Sequence, residues 1–144
     1  MKSKIPPTLL ILLIVTTLFL TGCQTPKPAS LSNDQVVQAV DNILKAIKVS
    51  DYQSFRQDFS DEMKDAFTEE QFTNVVNLLQ NTSGNYVSCA DSEPELANNQ
   101  GYAVYRQACT FDKESVIITV TFKVDGSKVE GLFFDSTNLR KISQ

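Results

Sequence analysis

At 144 residues, 42% hydrophobic and with a formal charge of −4, the chain holds one domain with a real core and lacks the clustered Lys and Arg that nucleic-acid phosphates demand. It contains no histidine, which excludes Ser-His-Asp and Cys-His nucleophile pairs and every imidazole metal ligand. Beyond Cys23 there is no C-x-x-C, G-x-S-x-G, S-x-x-K or glycine-rich phosphate loop.

The amino terminus reads as a targeting segment. Lys2 and Lys4 precede an uncharged apolar run, "TLLILLIVTTLFL", Thr8 to Leu20. Its length of about thirteen residues suits a signal-peptide core, whereas a spanning helix needs about twenty. Leu20-Thr21-Gly22-Cys23 resembles the bacterial lipobox, in which small residues precede a cysteine that takes diacylglycerol and becomes the new amino terminus. The expected organisation is a lipoprotein signal at 1–22, a tether at 23–32 punctuated by Pro26 and Pro28, and a single domain at 33–144. Cys23 is the expected lipidation site, and several acyl chains together supply the anchoring that one chain cannot. A cleaved secretory signal with a chance cysteine, or an uncleaved anchor, is the alternative. With Lys2 and Lys4 removed, 11 basic residues face 17 acidic ones, a charge of −6, so charge does not draw this chain to an anionic membrane.

Three helices are predicted next, each announced by a capping box: Ser32 with Gln35, Ser50 with Gln53, and Thr68 with Gln71. The first carries Val36, Val37, Val40, Ile43, Leu44 and Ile47 at helical spacing. The second carries Tyr52, Phe55 and Phe59, with a further turn from Ser60 that buries Met63 and Phe67. The third carries Phe72, Val75, Val76 and Leu79 and stops near Gly84. After Gly84 the period becomes two. Strands are predicted at 85–90, 102–111 and 116–124, with a polar loop around Pro94 to Gly101. Asp125-Gly126 signals a two-residue hairpin, pairing Phe122 with Val129, Val120 with Gly131 and Ile118 with Phe133. Helices followed by a four-stranded antiparallel meander make an α+β plan, with three helices packed on one sheet face.

Two chemistries remain in the body of the chain. The acids Asp58, Asp61, Glu62, Asp65, Glu69 and Glu70 lack the glycine and ligand spacing of a calcium loop. They read as a solvated face matched to helix dipoles, so no metal ion and no cofactor is expected. Cys89 and Cys109 form an even pair in an exported chain and fall equally far from a loop centred near Asn99, which predicts a disulfide. The alternatives are two reduced core thiols or a metal site two ligands short.

The segment "ILKAIKVSDYQSFRQDFSDEMKDAFTEEQFTNVVNLL", with the terminal "GLFF" at Gly131 to Phe134, resembles the domain-of-unknown-function family numbered 3887. That family is similar to the nuclear transport factor 2-like superfamily, whose curved sheet and helices form a cone around an apolar pocket. The resemblance implies a cavity between the sheet and the first and third helices. Its lining would come from Val40, Leu44, Phe55, Phe72, Val76, Tyr105, Ile118, Val120, Phe122 and Phe133. Enzymes of the wider superfamily, such as ketosteroid isomerase and scytalone dehydratase, use Asp, Tyr or His in the cone. Here Tyr52, Tyr86, Tyr102 and Tyr105 are present without histidine, and either Tyr105 or Arg106 faces the cavity according to strand register. Three functions stand: a non-enzymatic lipid-anchored envelope protein that binds a small apolar ligand or an envelope protein partner, a small enzyme with Asp or Tyr as acid or base, and a structural module without a pocket. The place expected for it is the cell membrane or outer membrane, with the domain outside the cytoplasm.

Overall fold

The computed structural model describes residues 31–90, 93–99 and 101–142. The predicted signal, Cys23 and the tether up to residue 30 lie outside them. Helix α1 (Asn33–Val49) starts at Ser32, which accepts the Gln35 N–H while the Gln35 side chain accepts the Ser32 N–H. Its stripe of Val36, Val40, Ile43, Leu44 and Ile47 is buried. It ends at Ser50, whose N–H reaches the Ala46 and Ile47 carbonyls and whose φ of +55° turns the chain so that the Asp51 N–H reaches the Ala46 carbonyl at 2.9 Å. A residue in the left-handed region cannot also hold the extended conformation of an N-cap. The cap expected at Ser50 therefore passes to Asp51, whose carboxylate accepts from Gln53 N–H and Ser54 N–H to open α2 (Tyr52–Phe55). Ser60 caps α3 (Asp61–Ala66), and Thr68 with Gln71 caps α4 (Glu69–Thr82). The chain leaves α4 through Gly84 at φ +88°. A Cβ there would lie 2.6 Å from the Asp112 Cβ, so both backbone and space require glycine.

The sheet has five antiparallel strands, not the four expected: β1 (Tyr86–Cys89), β2 (Glu95–Asn99), β3 (Tyr102–Phe111), β4 (Ser115–Lys123) and β5 (Val129–Asp135). Strand β2 occupies part of the predicted polar loop, and a short helix α5 (Thr137–Ile142) follows β5. Strand β4 lies between β3 and β5. Strands β1 and β2 share the other edge of β3, β1 beside Cys109 to Phe111 and β2 beside Tyr102 to Arg106. The alternation of β3 and β4 puts Ala103, Tyr105, Cys109 and Phe111 with Val116, Ile118, Val120 and Phe122 on one face. That face joins α1, Phe55, Phe72, Val76 and Leu79 in one core.

Two details of β5 depart from the predicted hairpin. The chain turns over residues 124–128, closed by a Gly126 N–H to Lys123 carbonyl bond of 2.8 Å, rather than in two residues. Phe122 does face Val129, but the next pair is Thr121 with Gly131, leaving Glu130 as a bulge. Val120 then faces Leu132, and Ile118 faces Phe134. The bulge is held from outside the hairpin. Val129 exchanges backbone bonds with Asp58 and Ser60 at 2.8 and 2.9 Å, and the Glu130 carboxylate takes the Ser60 hydroxyl and Lys123 Nζ, each at 3.0 Å.

The tip of the β3–β4 hairpin, Asp112-Lys113-Glu114, has the composition of a solvated turn and is instead a junction. The Asp112 carboxylate accepts from Asn85 N–H and its amide at 2.9 and 3.0 Å, and Lys113 Nζ donates to the Asn81 carbonyl at 2.8 Å. The Glu114 carboxylate accepts from the Ser83 hydroxyl at 2.6 Å, the Ser136 hydroxyl at 2.7 Å and Asn138 N–H at 3.1 Å. It thereby ties the end of α4 to the start of α5, through two serines that are buried. Burial pulls the Glu114 carboxyl upward, but these three hydrogen bonds outweigh it and hold its pKa below the ordinary 4.5. A group with a depressed folded pKa contributes stability that is complete above its unfolded value and is lost as pH falls through the folded one. Glu114→Ala is expected to lower stability by about 2 kcal/mol at neutral pH, by leaving buried serine hydroxyls without their acceptor. It should also flatten the decline below pH 4.5. Urea unfolding at neutral pH and at about pH 3.5 checks both, and equal losses at the two values would refute the titration.

Candidate functional site

Nine of the ten residues expected to line an interior cavity are packed into the core, each at most 4% exposed. Phe55 alone touches the rings of Phe59, Phe67 and Phe72, with centroids 4.9, 5.2 and 4.7 Å away. Tyr105 meets Phe122 edge-on at 5.9 Å. Val40 also borders a surface cleft, and Phe122 a smaller one. The tenth, Phe133, is 62% exposed. It pairs with Thr119 on the outer face of the sheet, because the Glu130 bulge carries Leu132 and Phe134 inward in its place. The register also decides between Tyr105 and Arg106: Tyr105 points into the core, and Arg106 lies exposed opposite Glu95.

Concavity lies elsewhere. A cleft of about 550 Å³ opens between the first half of α1 and the end of β1. Its walls carry the carboxylates of Asp34, Asp41 and Glu93, the apolar Val37, and Tyr86 and Cys89 from β1. The helix period brings Asp34, Val37 and Asp41 to one side, one turn apart. Tyr86 is turned inward beside Phe111 and is 6% exposed. Its hydroxyl donates to Asp41 Oδ1 at 3.2 Å, and Asp41 Oδ2 meets Lys45 Nζ at 2.6 Å. Burial, the Asp41 charge and the hydrogen bond to it all push the Tyr86 pKa upward. A phenol so placed stays protonated at neutral pH and donates to the Asp41 carboxylate.

The other tyrosines are accounted for. Tyr52 donates to the Phe67 carbonyl at 2.7 Å and sits under Arg56, while Tyr102 is on the exposed outer face. Among the acids, Asp61 and Glu62 fall in the first turn of α3, and Glu69 and Glu70 in that of α4. Among the described residues no group of three His, Cys, Asp or Glu side chains is placed to hold a metal ion, and no helix is long and apolar enough to cross a membrane.

The cleft also ends on a covalent feature. Cys89 and Cys109 are joined with sulfurs 2.03 Å apart. They are direct register partners, as expected, although the hairpin that leads into β3 pairs Asn99 with Tyr102 and so is not centred on Asn99. The Ala90 N–H to Ala108 carbonyl bond of 2.9 Å marks the next pair as hydrogen-bonded, so the cysteines occupy the closer, non-hydrogen-bonded kind of site. Their Cα atoms are 3.8 Å apart, nearer than the expected window of roughly 4.4–6.8 Å. Sequence reasoning placed the bond but not the cleft beside it. The signal for the cleft is tertiary, since Asp34, Asp41 and Glu93 are scattered acids until β1 docks on α1.

No curated protein and no solved structure matches the chain. A family described as a protein of unknown function, DUF3887, matches residues 40–132, which run from the middle of α1 to β5 and so include most of the core, the disulfide and most of the cleft wall. The match spans well over half of the chain, and the protein is a member of the DUF3887 family.

Proposed function

We propose that the protein is a non-catalytic interaction module of the bacterial cell envelope, lipid-anchored through Cys23 and carrying its domain outside the cytoplasm. On this reading the fold is a closed variant of the nuclear transport factor 2-like cone, with a partner protein taking the place of an interior ligand. The observation that carries it is the filled interior: the residues such a cone would open around a ligand are each at most 4% exposed, apart from Phe133. The apolar side chains left outside, Phe133 and Tyr102 among them, are surface a partner would cover. An acid–base enzyme is less well supported, because the chain has no histidine and the Tyr, Phe and aliphatic side chains expected to line the cone, apart from Phe133, are packed into the core.

Two measurements test this reading. Wild-type protein should partition into detergent with acyl mass on a peptide that begins at Cys23, and Cys23→Ala should lose that mass and accumulate unprocessed. A native protein that begins elsewhere, or carries no lipid, overturns the anchor. Native mass spectrometry of protein from its own host should show no stoichiometric small molecule on the folded domain. A retained ligand mass overturns the interaction reading in favour of a binder.

A further inference from the structure

The disulfide has two unlike ends. Cys109 lies on the inner face of β3 and is 1% exposed. Cys89 ends an edge strand, is half-buried, and forms part of the wall of the 550 Å³ cleft. Thiol–disulfide exchange begins with a thiolate striking one sulfur, so access selects which sulfur is struck. We infer that Cys89–Cys109 is a directional exchange site, at which an incoming small thiolate enters through the cleft and attacks Cys89 Sγ.

The chemistry closes without a further reactant. A bond forms between the incoming sulfur and Cys89 Sγ, and the Cys89–Cys109 bond breaks. Its electron pair leaves on Cys109, which takes a proton from water. The incoming thiolate is oxidised to the mixed disulfide, and Cys109 is reduced. Burial disfavours the Cys109 thiolate both as leaving group and as returning nucleophile, so exchange in the folded protein is slow in each direction, and acid quenching with alkylation traps the adduct on Cys89. Attack from the other side requires the core to open, since Cys109 is enclosed beside Val116 and Phe111.

The cleft also selects among thiols. Its described wall carries three carboxylates and no cationic side chain; Lys45 pairs with Asp41 from outside the wall. A negative concavity concentrates cations and repels anions. The attacking thiolate is itself an anion, so a thiol whose ammonium group cancels that charge is the class this site takes, and one whose sulfonate adds to it is the class it turns away.

The test uses the full chain in detergent at low ionic strength, with 2-aminoethanethiol and 2-mercaptoethanesulfonate as probes. Samples are quenched in acid, alkylated and peptide-mapped, and each rate is normalised to that on the urea-denatured chain. Adducts are expected on the Cys89 peptide with alkylation at Cys109, and the ammonium thiol should lead by on the order of tenfold. That lead should shrink in about 1 M salt, where the screening length falls to roughly 3 Å. Denatured protein should show both sulfurs modified alike. Native adducts on Cys109, native adducts shared equally, or no native reaction at all would each overturn directional attack. Equal normalised rates for the two thiols would overturn entry through the acidic cleft.

Discussion

Phe55→Ala is expected to lower the stability of the domain by about 4 kcal/mol, the middle of the range for emptying a buried phenylalanine site. Phe55 is fully buried and sits on a four-residue helix, so little of its surface is supported by local structure. Its ring is the common neighbour of Phe59, Phe67 and Phe72, which arrive from three separate segments. Those rings are fixed by their own backbones and cannot collapse fully into the space left behind. At roughly 4 °C per kcal/mol for a domain of this size, the melting point should fall by about 15 °C. Phe133→Ala is the matched control. With 62% of its surface exposed it should shift stability by no more than about 0.5 kcal/mol. Equilibrium urea unfolding of both variants checks the pair, and similar losses at the two positions would mean that the sheet faces are assigned the wrong way round.

The double replacement Cys89→Ala, Cys109→Ala should lower stability by about 3 kcal/mol, the chain-entropy value for a loop of this length, the two cysteines being 20 residues apart in sequence. The loss should appear first along one edge. Strand β1 has three register pairs with β3, one of them the cysteine pair itself. Amide exchange should therefore quicken at Ser88 to Ala90 before it does at β4, which is paired on both sides. Reductant should destabilise the wild type by a similar amount and leave the double variant unchanged. If reduction does not move the wild-type unfolding midpoint, the crosslink adds nothing to the stability of the folded state.

Much of this fold is legible because its signals are local. The boxes at Ser32 and Thr68 name two helix starts to the residue, and the limits of β3 follow from its alternation. The pairing of the two cysteines is anticipated but their register is not, because symmetry about the observed β2–β3 hairpin would set Cys89 opposite Asp112. What escapes is decided by partners distant in sequence. The segment "ELANN" becomes β2 with two asparagines of low strand propensity, because β3 offers it a ladder over Glu95 to Asn99. Glu130 is an ordinary strand residue in the sequence and becomes a bulge through Asp58, Ser60 and Lys123. That one insertion explains why Phe133 was placed inside and lies outside. The Glu114 junction is hidden by composition, since three charged residues at a hairpin tip read as solvated. The expected lining set shows a different limit: apolar periodicity tells which residues turn inward, but not whether the space they face is empty or filled.

The division of one sheet edge between β1 and β2 has a consequence for association between chains. An unbroken edge strand offers its free N–H and C=O groups as a template on which another chain can grow a sheet. Here that border is two short pieces of four and five residues, Tyr86–Cys89 and Glu95–Asn99. A foreign strand on this border would lose its partners within five residues, so only a short ladder could form. The interruption thus limits sheet growth from this border.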